Sequence, residues 1–228
     1  MERELIRQEW VELERPFTAD TNRGDATGPD LVIMKGPGPC SVTAVHGVVH
    51  YRGGRSRPPE VNTASLAILA NRHSRACVLV VARALEIEDA NQSSDHPARE
   101  LARTAALWGT GRSVIDVHGQ VDRESDVVLS WGGDHFMDGQ GHELASRLSA
   151  GFTAAGFLVD LGGRSTGFAA AGPTMTRAAA ETGSAAVQME VSRRCRTFVA
   201  GSDRGRVGAF VATFIELVSA ENRREAPE

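Results

Sequence analysis

The chain has 228 residues, enough to bury the core of one domain, and we expect residues 1–228 to form a single domain. Its formal net charge of -4 gives no reason to expect nucleic acid or an anionic membrane as a partner. The three cysteines are scattered and lack CxxC spacing, which is typical of free thiols in a reducing compartment. No signal peptide or membrane-spanning run is evident. We therefore expect a cytoplasmic protein, and the sequence leaves its oligomeric state open.

Residues 1–38 give the weakest pattern of the chain. Apolar positions at helical spacing predict a short helix over Glu2–Glu14. A polar stretch with glycines predicts a loop over Phe17–Asp30. Short strands at Leu31–Met34 and Ser41–Val45 flank a turn rich in glycine and proline, so we expect the two strands to form a β-hairpin.

Two β-branched apolar runs each end in a histidine followed by a glycine. The dipeptide His46-Gly47 follows one predicted strand, and His118-Gly119 follows the strand Ser113–Val117. In an α/β sheet the functional groups collect just past the carboxyl ends of the strands, so we expect both histidines at one edge. Each glycine would let the backbone turn sharply. Two histidines at one edge would form half of a metal site.

Glu60 is a candidate for the third metal ligand. It follows a loop with three arginines and two glycines, a composition that favours a mobile, anion-binding rim. A carboxylate beside the N-terminus of the next predicted helix is favourable for electrostatic reasons alone. The loop could also bring Glu60 back to His46, which would make it a ligand. His50 is the rival ligand, or a substrate-binding group.

The rest of the chain alternates strands with helices, the pattern of an α/β sheet. Strands are predicted at Cys77–Ala82 (central and parallel, since it is wholly apolar), Asp126–Ser130, Phe157–Leu161 and Ala185–Val191. Helices are predicted at Val61–Arg72, Pro97–Trp108 (with Asp95 as N-cap), Glu143–Ala154 and Val207–Leu217. We expect the polar tail Ala220–Glu228 to fray.

Three further polar features fall at positions where function is possible. The loop 86–92 is acidic and carries amides, which fits either a site or a solvated turn. The long glycine-rich connection Gly162–Pro173 contains Arg164 and is typical of a substrate loop or lid. Glu190 stands near the end of a buried strand, where it would either pair with a following arginine or act as a general base.

The order of these motifs resembles the N-formylglutamate amidohydrolase family. The resemblance rests on strand-His-Gly at 46–47, the Gly/Arg loop ending in Glu60, Asp-Ala-Asn at 89–91, Ile-Asp-Val-His-Gly at 115–119, and Gln-Met-Glu-Val-Ser-Arg-Arg-Cys-Arg at 188–196. It covers roughly residues 41–196. This family is related to phage-type poly-γ-glutamate hydrolases and, more distantly, to zinc carboxypeptidases. The resemblance implies a three-layer α/β fold with a mixed, largely parallel sheet and helices on both faces.

The resemblance also implies a site. One Zn²⁺ per chain would be held by His46, Glu60 and His118, leaving a fourth position for water, as catalytic zinc sites require. Zinc would lower the pKa of that water and polarise the scissile carbonyl, and Glu190 would be the general base. Asp116 would point to the same face as His118 and orient a ligand.

One departure from the family concerns substrate binding. Relatives carry Asn-Arg where this chain has Asn91-Gln92, and in them the arginine pairs with a substrate carboxylate. Gln92 supplies no charge. Either the substrate lacks that carboxylate, or another arginine replaces the missing one. The candidate replacements are Arg52, Arg55, Arg57 and Arg164.

The leading hypothesis is a zinc-dependent amidohydrolase that cleaves a small amide, or a γ-glutamyl or peptide-like bond. Other divalent metals tolerate the same ligands, so the choice of zinc depends on the resemblance. The alternative is an inactive scaffold of the same fold, motivated by Gln92. A third hypothesis places a metal at Asp134, His135 and His142, with a phosphoester substrate.

Overall fold

A computed structural model gives the structure of the chain and describes residues 2–109, 111–131, 139–162, 174–197 and 204–224. The strands are β1 Leu31–Met34, β2 Cys40–Ala44, β3 His50–Arg52, β4 Arg55–Arg57, β5 Cys77–Val81, β6 Ser113–Gln120, β7 Val127–Ser130, β8 Val159–Leu161 and β9 Ala185–Ser192. The helices are α1 Glu2–Asn22, α2 Thr63–Ser74, α3 Pro97–Thr104, α4 Gln140–Ala154, α5 Met175–Glu181, α6 Arg193–Arg196 and α7 Arg204–Asn222. Among the described helices, none combines the length and hydropathy that crossing a membrane requires.

Seven of these strands form one mixed, largely parallel sheet in the order β1-β5-β2-β6-β9-β7-β8. β2 pairs in parallel with β5 and β6, β9 pairs in parallel with β6, and β8 pairs in parallel with β7. The pairs β1–β5 and β7–β9 are antiparallel. Helices pack around this sheet, so the predicted α/β fold is confirmed. The remaining strands, β3 and β4, form a separate hairpin.

The predicted hairpin between β1 and β2 is wrong. β5 lies between them, so that Val32 pairs with Val80 while Val42 pairs with Val78 on the other edge. β5 is buried along its whole length and carries only apolar side chains. The backbone of such a buried strand needs a hydrogen-bonded neighbour on each edge. The connection at 35–39 is long enough to cross β5 and lead from β1 to β2. β5 is parallel to β2, as predicted, but it lies next to the sheet edge and not at its centre.

Two predictions for the chain ends are wrong in part. The predicted loop over Phe17–Asp30 begins later, because α1 continues to Asn22 with Phe17 buried in the core, although the backbone at 19–22 is non-helical. Residues 23–30 form a loop, as predicted. The predicted frayed tail is helical as far as Asn222. There, buried Glu221 accepts two hydrogen bonds from Arg147 at 2.8 Å. These contacts fix the end of α7, and residues 225–228 lie outside the described part of the chain.

The cap of α3 and the state of the cysteines complete the description of the fold. The N-cap of α3 is His96, whose Nδ1 accepts from the amide of Ala98 at 3.1 Å, and not Asp95. The three cysteines are buried and free, as their spacing predicted.

Candidate metal centre

His46 and His118 come from neighbouring parallel strands. β2 ends at Ala44, two residues before His46, and β6 pairs Asp116 with Thr43 before it continues through His118. The parallel register therefore brings both histidines to the same end of the sheet, as predicted. His118 lies within β6, which extends to Gln120, and not just past the strand end as predicted.

Glu60 reaches the same place because the loop after His46 folds back on itself. The amide of Glu60 donates to the carbonyl of His46 at 2.7 Å, so the two backbones touch. The hairpin β3–β4 takes up the residues between them. The N-cap of the following helix is Asn62, which leaves the Glu60 carboxylate free to point at the histidines.

The three side chains converge tightly. Glu60 Oε1 lies 3.1 Å from His46 Nδ1, and Glu60 Oε2 lies 3.0 Å from His118 Nδ1. The two Nδ1 atoms are 3.1 Å apart. Both imidazoles are buried, and one ligand atom from each of the three residues fits within 4.8 Å of the others. Two ring nitrogens and a carboxylate at this spacing match the donor set of a catalytic divalent metal site.

The far nitrogen of each ring faces a buried carboxylate. His46 Nε2 lies 2.7 Å from Asp89 Oδ1, and His118 Nε2 lies 3.1 Å from Asp116 Oδ2. Each carboxylate is fixed in turn, Asp89 by two hydrogen bonds from Arg52 and Asp116 by the hydroxyl of Thr43. A proton at Nε2, facing the carboxylate, leaves the lone pair of each ring at Nδ1, on the side of the metal centre. The amide nitrogen of Asn91 also lies 3.0 Å from His118 Nε2. This outer arrangement is the one that orients histidine ligands in metal sites.

The charges of these groups are strongly coupled. Burial disfavours the charged imidazole of His46, but Glu60 and Asp89 outweigh it and raise its pKa to about 9. Burial likewise opposes the charge on His118, yet Glu60 and Asp116 raise its pKa well above the usual value. Burial would raise the pKa of Glu60, and the two histidines hold it well below its ordinary range. The centre therefore favours positive charge between the rings, and a divalent cation would supply it.

A second set of groups, His46, His50 and Asp89, also lies within 4.8 Å. The rings of His46 and His50 stack in parallel, with centroids 4.0 Å apart and planes 13° from each other. Ring lone pairs lie in the ring plane, so stacked rings do not aim them at one point. Asp89 is already paired with Arg52. The geometry therefore favours Glu60 over His50 as the third ligand.

Glu190 lies directly opposite His118 in the sheet, because β6 and β9 pair these two residues. Its Oε1 accepts from Nε2 of Gln188 at 2.8 Å. Within the described residues no ion pair joins it to the arginines that follow, so the pairing alternative of the sequence is not observed. Burial raises the pKa of Glu190, and nearby Glu60 raises it further against the opposing effect of His118.

Gly47 and Gly119 have a different role from the predicted sharp turn. Neither has a positive φ. A Cβ on Gly47 would lie 2.4 Å from the Cβ of Ala64, and a Cβ on Gly119 would lie 2.5 Å from the guanidinium carbon of Arg196. The glycines thus allow close packing at the metal centre, and the Gly119 amide also donates to Glu60 at 2.9 Å.

A cavity of about 670 Å³ opens beside Glu60. His50 and Gly119 also line it, together with the arginines Arg52, Arg57, Arg193 and Arg196. Burial lowers the pKa of His50 to about 4, and nearby His46 lowers it further, so the ring at the cavity wall is neutral.

Asn91 and Gln92 are not among the described residues that line this cavity. Asn91 Oδ1 accepts from the amide of Met175 at 2.7 Å, and Gln92 Nε2 donates to the Asn91 carbonyl at 2.9 Å. The substrate-binding role of both residues stays a prediction. Arg164, Asp134 and His135 lie outside the described residues, while His142 packs edge-on against Trp131.

Two residues of the centre were given no role by sequence reasoning, although both stand in motifs that it singled out. Asp89 begins the Asp-Ala-Asn motif in the acidic loop after β5, and the position of this loop past a strand end was the available signal. Arg196 lies in the basic run after Glu190, where nothing distinguished it from Arg193 and Arg194.

Comparison with known proteins gives a fold and no family. A scan against protein-family models and a search of curated proteins both found no match. The structure of a bacteriophage poly-γ-glutamate hydrolase superposes with a TM-score of 0.55 at 15% identity, covering 86% of this chain and 90% of that chain. A gene product of Agrobacterium tumefaciens gives 0.54 at 16% identity, covering 85% of this chain and 95% of that chain.

A metallo-carboxypeptidase from Burkholderia cenocepacia gives a lower TM-score of 0.48 at 12% identity, covering 84% of this chain and 60% of that chain. The neighbours thus include a phage poly-γ-glutamate hydrolase, a relative in fold that the sequence predicted. At these identities the first two similarities establish the fold alone. Membership of the N-formylglutamate amidohydrolase family stays a prediction.

Proposed function

We propose that this chain is a zinc-dependent amidohydrolase that cleaves the C–N bond of a small or peptide-like amide. One observation carries the proposal. The Nδ1 atoms of two buried histidines and the carboxylate of Glu60 meet at one point, and each far ring nitrogen faces a buried carboxylate. The hydrolase names of structural neighbours agree with this proposal.

His46, Glu60 and His118 would hold the metal. When bound, Zn²⁺ supplies Lewis acidity toward a carbonyl oxygen and lowers the pKa of a water molecule. The protein's own part is to hold the single proton of each metal-bound ring at Nε2 and to aim Nδ1 at the metal, which the contacts of Nε2 with Asp89 and Asp116 accomplish.

Glu190 would be the general base that takes a proton from water and passes it to the leaving amine. A carboxylate whose pKa is raised toward neutrality transfers protons more effectively than an ordinary one. Burial and Glu60 raise the pKa of Glu190, while the Gln188 amide keeps its carboxylate oriented. The cavity beside Glu60 would admit the amide substrate.

The first test is elemental mass spectrometry of purified protein beside its His118→Ala variant. We expect about one zinc per chain in the wild type and its loss in the variant, because the variant removes one of three ligands. A metal-free wild type, even after zinc is added back, would make this a binding protein on a hydrolase fold.

Activity is tested with a panel of amides that includes N-formylglutamate and poly-γ-glutamate. In the Glu190→Gln variant we expect zinc content to be unchanged and turnover to fall by roughly 10²- to 10⁴-fold, the usual contribution of a general base. Full turnover in this variant would remove Glu190 from the mechanism without affecting the metal assignment.

A further inference from the structure

Arg196 ends α6, and its side chain is buried beneath the candidate metal centre. Its guanidinium donates to three backbone carbonyls: Nη1 to Val61, Nη2 to Gln120 at 3.4 Å and Nε to Val191 at 3.1 Å. Within the described ranges it forms no ion pair with a carboxylate. The carbonyl dipoles of three separate parts of the chain therefore stabilise its positive charge.

Each of these carbonyls belongs to a segment that carries one residue of the proposed site. The first belongs to the residue directly after Glu60, and the second to a residue two positions beyond His118. The third belongs to the residue directly after Glu190. One planar side chain thus touches the backbone next to two proposed ligands and the proposed base.

Arg196 both donates a hydrogen bond to the segment after Glu60 and accepts one from it. While the Arg196 side chain donates to Val61, the Arg196 carbonyl accepts from Nδ2 of Asn62 at 2.7 Å. Asn62 itself has a left-handed backbone conformation with φ 70°, which a non-glycine residue rarely adopts. This conformation places Glu60 in the turn that precedes α2, and the link to Arg196 braces it.

Gly119 shows how closely the guanidinium approaches the strand that carries His118. A Cβ at this position would lie 2.5 to 2.7 Å from the Arg196 guanidinium atoms. The same glycine donates its amide to Glu60 Oε2. Arg196 therefore packs against the His118–Gly119 peptide, whose N–H group donates to Glu60.

We propose that Arg196 is a positioning residue that fixes the segments of Glu60, His118 and Glu190 relative to one another. The inference depends on the proposed function, because it assigns these three residues to one site. A guanidinium suits the role, since its donors form a rigid planar fork that can serve several acceptors at fixed angles. Lysine at the same position would offer a point charge without that geometry.

The test compares zinc affinity across Arg196→Met, Arg196→Lys and a control, Arg194→Met, using competition with a chromophoric chelator. Arg194 belongs to the same helix, and its guanidinium contacts Asp126 and the carbonyls of Arg123 and Glu124. None of these three residues touches the metal centre. We expect both Arg196 variants to bind zinc roughly 10- to 100-fold more weakly, the usual effect of losing a group that orients ligands. We expect the Arg194 variant to lose stability while keeping its zinc affinity.

A second readout needs no metal. Hydrogen–deuterium exchange of the metal-free protein reports the amides of Glu60 and Gly119, which are bonded to the His46 carbonyl and to Glu60 Oε2 respectively. In Arg196→Met we expect both amides to exchange faster than the rest of the chain does, whereas in Arg194→Met we expect them to change no more than other protected amides. A general loss of stability would speed exchange throughout the chain and in both variants.

Gly119→Ala tests the same contact from the other side, and it also serves if Arg196→Met fails to fold. Its added methyl should displace the guanidinium and weaken zinc binding in the wild-type background. Added to Arg196→Met, Gly119→Ala should weaken zinc binding little further, because the guanidinium with which the methyl group clashes is then absent. Additive effects of the two substitutions on zinc affinity would contradict a shared mechanism.

The outcomes separate this inference from the proposed function. Zinc binding by the wild type that persists unchanged in the folded Arg196 variants, with normal exchange at Glu60 and Gly119, would overturn the positioning role alone. Wild-type zinc affinity in Arg196→Lys would show that the positive charge suffices, and would overturn the role given to the planar guanidinium. A wild type that binds no zinc would overturn the proposed function, and the exchange data would still decide the role of Arg196.

Discussion

Two carboxylates in this protein, the buried Asp126 and the partly buried Glu60, are satisfied in different ways. Asp126 accepts from Arg194 at 2.8 Å, pairs with Arg206 and accepts from the Leu158 amide at 2.8 Å. Arginine stays charged at every pH a protein experiences. The Asp126 cluster therefore needs no ligand to balance its charge, and it joins the residue before β7 to α6 and α7.

Glu60 has histidines where Asp126 has arginines. The two Nδ1 atoms that face Glu60 lie only 3.1 Å apart, so two protonated rings repel each other there. Two deprotonated rings would leave the carboxylate without a cation. Arginine thus balances the charge of a structural carboxylate permanently. Two histidine nitrogens that face each other do not, and a divalent cation bound between them would balance the charge of Glu60.

The largest predicted effect is a loss of folding stability when the Asp126 cluster is broken. Asp126→Asn should destabilise the metal-free protein by about 3 kcal/mol, because it leaves two arginines without their buried partner. Zinc affinity should not change, since none of these groups touches His46 or His118. Urea unfolding with and without a chelator measures both effects. The surface variant Glu181→Gln, which loses only an exposed pair with Arg177, should cost under about 1 kcal/mol.

Zinc itself should stabilise the Glu60 cluster and not the Asp126 cluster. At free zinc one hundred times the dissociation constant, the free energy of unfolding should rise by about 2.7 kcal/mol. We expect the same increment in Asp126→Asn and none in His46→Ala, which lacks a ligand. An equal increment in His46→Ala would show that zinc binds elsewhere on the chain.

The sequence predicted the strand that delivers His118 and the strand before His46, because apolar β-branched runs report buried strands directly. It did not predict that β5 would lie between β1 and β2. Strand order depends on long-range pairing, and a short glycine- and proline-rich connection does not distinguish a hairpin from a crossover. For the same reason Glu60 had two open interpretations until its amide was seen to contact the His46 carbonyl.

The groups behind the ligands were harder to predict than the ligands. Asp89 comes from the loop after β5 and Arg52 from strand β3, and only the fold brings Arg52 to the carboxylate that faces His46 Nε2. Arg196 was indistinguishable from its basic neighbours because its partners are backbone carbonyls, which leave no mark in a sequence. Side chains that ligate have diagnostic residue types, whereas side chains that orient them do not.

The outer partners of the histidines should affect zinc binding moderately. Asp89→Asn should weaken zinc affinity by roughly 10- to 100-fold, because the amide is a poorer acceptor for His46 Nε2–H. Glu88→Gln is the matched control, since Glu88 lies in the same loop and its carboxylate accepts, among the described residues, only from the exposed Gly53 amide. Chelator competition measures both variants. Equal losses in the two would attribute the effect to the loop and not to His46.

The smallest predicted effect is a difference in acid sensitivity. Burial alone would raise the pKa of Asp126, but the Leu158 amide and the two arginines outweigh it and hold the pKa below the ordinary 3.8. A lowered folded-state pKa stabilises the protein fully above 3.8, and this contribution is lost as the pH falls through the folded-state value.

Urea midpoints between about pH 5 and pH 2.5 should therefore fall less steeply in Asp126→Asn than in the wild type. Parallel slopes would mean that Asp126 titrates alike in the folded and unfolded chains. In that case the arginines that surround it would contribute packing to this end of the sheet, and not charge.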